Sequence, residues 1–198
     1  DGPDSAGRLE PAAFWFAQRL RQPDLLWFQQ RYLDRALSSA ASGRWGLGRN
    51  HLVPLLPFWL GDKPATNQAP NLPLNWHGGG RNPVGVFRTS WTNTNGIFLG
   101  FKGGSGISSG HAHLDAGSFV LYAAGVTWAV DLGWQDYNSL ESKGVDLWNP
   151  AQNGGRWTVF RLNNFSHNTL TIDNQLHKAS AHASIPEFRD GPQPQATV

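Results

Sequence analysis

Ser109–Asp131 reads SGHAHLDAGSFVLYAAGVTWAVD. His111 and His113 stand one residue apart, and Asp115 follows at the same spacing. Alternate residues of an extended chain share a face, so an extended reading projects all three to one side. Two apolar runs follow, Ser118–Ala124 and Val126–Val130, separated by Gly125. Their β-branched and aromatic content predicts a hairpin. The second arm ends on Asp131, so the fold-back returns this acid towards His113. Further on, Ser166-His167-Asn168 precedes another strand-like run, Thr169–Ile172. His113, Asp131 and His167 then offer two imidazoles and a carboxylate around an open fourth position, a donor set that suits zinc.

Upstream, Val84–Trp91 and Ile97–Lys102 flank Asn93-Thr94-Asn95-Gly96, which predicts a second hairpin. Gly103–Gly110 is a glycine- and serine-rich loop leading to His111. It has no Walker lysine and precedes a strand rather than a helix, which argues against a phosphate cradle. Downstream, Gly133–Trp157 is long and irregular and carries Trp134, Tyr137, Trp148 and Arg156. Long loops in β-domains often form the binding surface. Trp134, Trp148 and Trp157 read first as core packing, with sugar stacking as the alternative. Asp173-Asn174 reads as a turn.

The N-terminal part has a different period. Leu9, Ala12, Ala13, Phe16, Ala17 and Leu20 follow helical spacing within Asp4–Arg21, with Asp4 or Ser5 as the cap and Pro11 near the first turn. Pro23-Asp24 opens a second helix striped by Leu25, Phe28, Tyr32, Leu33, Ala36 and Leu37, which Gly43 stops. Two such helices with a short connection predict an antiparallel pair. The stretch 61–83 reads as a linker rich in Pro, Asn and Gly. The expected organisation is helical over 1–60, linker over 61–83 and an antiparallel β-sandwich over 84–198, making the fold mainly β.

Of the 198 residues 39% are hydrophobic and 15% charged, with ten Trp, which indicates an ordered chain with a core. The net charge is only +2 and no Lys/Arg run occurs, so nucleic acid is not suggested. Cysteine is absent, which excludes disulfides and thiolate metal sites. No apolar run reaches membrane-spanning length. Methionine is also absent, and both ends fall in mid-pattern, so the chain reads as a piece of a longer protein. A paired-carboxylate mechanism is poorly supported, because Asp115 and Asp131 are the only acids nearby. A cupin would place a Glu shortly after the second His, where Gly117, Ser118 and Phe119 stand.

The run Gly110-His-Ala-His-Leu-Asp-Ala-Gly-Ser-Phe119 is followed by Val130-Asp-Leu-Gly133, Arg156-Trp157, Phe160-Arg161 and Ser166-His-Asn-Thr-Leu170. This ordered set resembles the heparinase II/III-like polysaccharide lyases, the group that includes heparinase II, heparinase III and the oligoalginate lyases. The likeness covers roughly residues 84–178. It implies that the helical pair ends an N-terminal (α/α) toroid and that the β-part begins a C-terminal sandwich. It implies a structural zinc on His113, Asp131 and His167, with His111 facing the substrate cleft and Tyr137 lining it. The implied activity is β-elimination on a uronate-containing acidic polysaccharide or oligosaccharide, such as a glycosaminoglycan or alginate, in the periplasm or outside the cell. A further Asn or His and a catalytic Tyr are expected from the toroid, so the isolated chain is expected to be inactive. The alternative from a different class is a non-catalytic carbohydrate-binding sandwich with a structural metal.

Overall fold

The computed structural model describes residues 9–41, 51–60 and 70–198. The expected caps Asp4 and Ser5, the stop at Gly43 and most of the linker lie outside the described residues. The chain divides into two units, Asp1–Leu72 and Pro73–Val198.

The first unit is helical. Helix α1 spans Pro11–Leu20, with Pro11 at its first turn, where the missing N–H costs nothing. Arg21 ends it in a left-handed conformation, and the Gln22 N–H donates to the Ala17 carbonyl at 2.9 Å. A single tight turn, Pro23–Leu26, leads into α2, Trp27–Ala41. Helix α3 is one turn, Leu56–Trp59. Phe14, Leu33 and Leu56, one from each helix, form the buried cluster of this unit.

The second unit is a meander. Strands β1 (Trp76–Gly78), β2 (Val84–Arg88), β3 (Phe98–Lys102), β4 (Phe119–Ala123) and β5 (Val126–Ala129) form an antiparallel sheet in chain order. Helix α4 (Tyr137–Glu141) follows, and β6 (Glu187–Arg189) and β7 (Gln195–Thr197) form a second, two-stranded sheet. The fold is mainly β, as expected. The sheet starts earlier than Val84, because Trp76–Gly78, within the stretch read as linker, pairs with β2.

Both expected hairpins form. Ala124 and Gly125 both take positive φ, 52° and 80°, the conformation of a two-residue turn whose twist matches that of its strands. The β2–β3 connection is closed by Thr89, whose hydroxyl accepts the Ile97 N–H at 2.9 Å. Thr169–Ile172 departs from expectation and forms no strand. It follows Asn168, whose side chain donates to the Phe119 and Val130 carbonyls at 3.0 and 2.9 Å. The asparagine amide thus ties down both arms of the β4–β5 hairpin with no ladder of backbone bonds. The Asp173-Asn174 turn is present, with φ of 50° and 55°. The core beneath the loops is Leu114, Trp157 and Ala179, with Leu176 packed against it.

Candidate metal centre and cleft

His111 and His113 do not lie on a strand. Ser109–Ser118 is a turn-rich lead-in to β4. The reason is a competing partner: the Ala112 carbonyl, between the two histidines, accepts from Nε and Nη2 of Arg156 at 3.1 and 2.8 Å. Leu114, buried in the loop core, donates its N–H to the Leu162 carbonyl at 2.9 Å. These long-range bonds replace a sheet ladder and turn the two imidazoles to different surroundings.

His113 turns towards His167, with ring centroids 5.3 Å apart. Ligand atoms of His113, Asp115 and His167 all lie within 4.8 Å of one another. Asp115 is also gripped by Lys102, whose Nζ lies 2.9 and 2.8 Å from its two oxygens. Asp131 contacts the same His167 ring. Its Oδ2 is 2.6 Å from Nδ1 of that ring, and its Oδ1 accepts the Gly133 N–H at 2.8 Å. The His167 bond, supported by Gly133, holds the Asp131 carboxyl below the usual carboxylate range.

Asp131 fixes the tautomer of its neighbour. With Nδ1 donating to a carboxylate, a neutral ring leaves Nε2 as a bare acceptor. That Nε2 of His167 is buried and has no hydrogen-bond partner. Burial is the main cause that lowers the pKa of His113 to about 4; Asp115 opposes it, while His167, Arg156 and Lys102 add to the lowering. Two imidazoles, one neutral at ordinary pH and one with an orphaned nitrogen, beside two carboxylates, fit a divalent metal such as zinc. Sequence reasoning had placed Asp115 on the histidine side but assigned it no role. Its pairing to Lys102 was not legible, because the lysine ends a separate strand.

The depressed His113 carries a stability consequence. A histidine whose folded pKa lies below its unfolded value makes the unfolded chain the better proton binder between the two values. In chelator, the protein is therefore expected to lose stability as pH falls from about 6.5 to about 4. His113→Gln should flatten the thermal midpoint over that interval; an unchanged pH slope in the variant would refute the assignment.

His111 turns the other way. It stacks on Tyr137 with centroids 5.6 Å apart and an interplanar angle of 8°, and meets Trp148 edge-on at 5.8 Å. Asp136 caps α4 through the Ser139 N–H at 2.8 Å, which places Tyr137 at the first turn of the helix. His111, His113, Trp134, Asp136, Tyr137 and Asn138 line an open cleft of about 410 Å³. Of the three tryptophans read as core, Trp157 is buried at 1% exposure, whereas Trp134 and Trp148 are 58% and 53% exposed beside the cleft. The Trp148 indole is steadied by Glu141 at 2.7 Å.

The sequence is expected to hold no Gly-x-Ser-x-Gly elbow, yet Gly106-Ile107-Ser108-Ser109-Gly110 carries those letters. Ser108 is buried and stands in a turn with no helix after it, so the elbow geometry is absent.

No curated protein matches the chain. The family model described as heparinase II/III-like, C-terminal, matches residues 87–194, more than half of the chain. That span holds both histidines of the pair, Asp131, α4, Arg156 and His167, so the whole cluster and the cleft fall inside the match: the chain belongs to the heparinase II/III-like family and carries its C-terminal domain.

Proposed function

We propose that the protein to which this chain belongs is a polysaccharide lyase that cleaves uronate-containing acidic glycans by β-elimination, in the periplasm or outside the cell. The observation that carries this reading is the parallel His111–Tyr137 pair, set in an open cleft beside the histidine cluster of a heparinase II/III-like domain.

In β-elimination a base takes the C5 proton of the uronate, and that bonding pair becomes the C4–C5 double bond. The C4–O4 bond breaks, and O4 leaves with a proton. His111 has an imidazole nitrogen able to take a proton, and Tyr137 has a hydroxyl able to give one. The hydroxyl oxygen of Tyr137 accepts from Arg156 Nη2 at 3.2 Å, which leaves its own proton free for another acceptor. The side-chain amide of Asn138, on the cleft wall, is suited to the sugar carboxylate. The exposed faces of Trp134 and Trp148 are suited to stacking on pyranose rings.

His113 and His167, with Asp131 and Asp115 as the carboxylates, would hold a zinc ion. Zinc there would lock three chain segments together and so steady the loop that aims His111; its role is structural. The helical first unit belongs, on this reading, to the end of an (α/α) toroid that supplies further catalytic groups.

The test is turnover by the intact protein on alginate, heparan-type and hyaluronan-type polymers, followed by the ultraviolet absorbance of the unsaturated product. Absorbance growth on one of them is expected. Stacking without turnover on any of them would instead favour the carbohydrate-binding reading, which rests on the exposed Trp134 and Trp148.

A further inference from the structure

We propose that Arg156 is the positioning residue of this cleft, setting His111, His113 and Tyr137 through one buried guanidinium. Arg156 is 2% exposed, yet among the described residues it takes part in no ion pair. Burying a cation without a carboxylate is costly unless its donors are well used. They are well used here. Nε and Nη2 converge on the Ala112 carbonyl, Nη1 donates to the Leu147 carbonyl at 3.2 Å, and Nη2 also reaches the Tyr137 hydroxyl. The guanidinium carbon sits 5.7 Å from the Tyr137 ring centroid and 5.5 Å from that of Trp157.

The choice of acceptor is the informative part. Ala112 is the one residue between His111, which stacks in the cleft, and His113, which turns to His167. A two-pronged grip on that carbonyl fixes the peptide orientation from which the two imidazoles diverge. One of those two prongs, Nη2, also donates to the hydroxyl of the ring on which His111 stacks. Only a planar fork can serve these acceptors together; an ammonium is a point donor.

The turnover part of the test rests on the lyase reading, and a second readout does not. Wild type and Arg156→Lys of the intact protein are compared by thermal midpoint, by the NMR signal of the His111 ring protons and by kcat and KM on the uronate polymer. The stacked Tyr137 ring displaces the His111 signal in wild type. In folded Arg156→Lys that displacement is expected to collapse, and kcat to fall about 10- to 100-fold with KM within about threefold, the scale seen when groups that orient a site are removed. If the lysine variant does not fold, Arg156→Gln, which keeps two donors without the charge, is read in the same way. An unmoved His111 signal, or an unchanged kcat, in a folded variant overturns the proposal. If wild type turns over no uronate polymer, the lyase reading fails and the ring signal alone decides the role of Arg156.

Discussion

Replacing His113 with alanine is expected to abolish metal binding, from about one zinc per chain in wild type to a trace. The cluster has two imidazoles, and losing one leaves His167 Nε2 with carboxylates alone, one of them already neutralised by Lys102. Because a bound ion stabilises the folded state by mass action, the loss should also lower the thermal midpoint by several degrees in saturating zinc, and by far less in chelator. Metal content by mass spectrometry and paired melts settle it; a metal-free wild type that melts identically with and without chelator rejects the zinc assignment. The two acids separate in the same experiment. Asp131→Ala removes the partner of His167 Nδ1, and Asp115→Ala removes the oxygen gathered with the histidines. The variant that loses more affinity identifies the carboxylate that touches the ion.

The second large effect concerns turnover. His111→Ala in the intact protein is expected to lower kcat by about 10²- to 10⁴-fold, the range for a removed acid–base group. Zinc content should be unchanged, because His111 stacks on Tyr137 and is not among the clustered donors. Tyr137→Phe keeps the stack and removes only the hydroxyl, so a comparable loss of kcat with intact folding would assign the proton to that oxygen. A His111→Ala enzyme with wild-type kcat would remove the imidazole from the chemistry.

The hairpins were legible because their signals are local: apolar runs bounded by Gly125 and by Asn93–Gly96 need no distant partner. Helix α1 was legible for the same reason, and Pro11 sits where its lost N–H is harmless. The fold-back of β5 is expected to bring Asp131 to His113; Asp131 lies against His167, and Asp115 is the acid gathered with the two histidines. The conformation of the histidine pair was not legible. His-Ala-His alternates as a strand would, but the Ala112 carbonyl is taken by an arginine 44 residues later, and no window of sequence contains both. Thr169–Ile172 has strand composition, yet the neighbouring Asn168 binds the hairpin through its side chain. Trp134 and Trp148 read as core because tryptophan usually is; their exposure depends on a loop path that periodicity does not encode.

The sheet and the site differ in how far along the chain their contacts reach. Each of the five strands pairs with its sequence neighbour, and only the β3–β4 pair must close a long loop, the one that carries the histidines. The cluster and cleft instead draw on contacts spanning 36, 44 and 49 residues, through Asp131–His167, Ala112–Arg156 and Phe119–Asn168. Their closure entropy is recovered only when all the segments are in place, so in hydrogen exchange these contacts are expected to open before the sheet does. The protein can therefore be folded by any measure of β content and still lack its site. Competence is a more fragile state than foldedness, kept only while the long loops stay closed over the sheet.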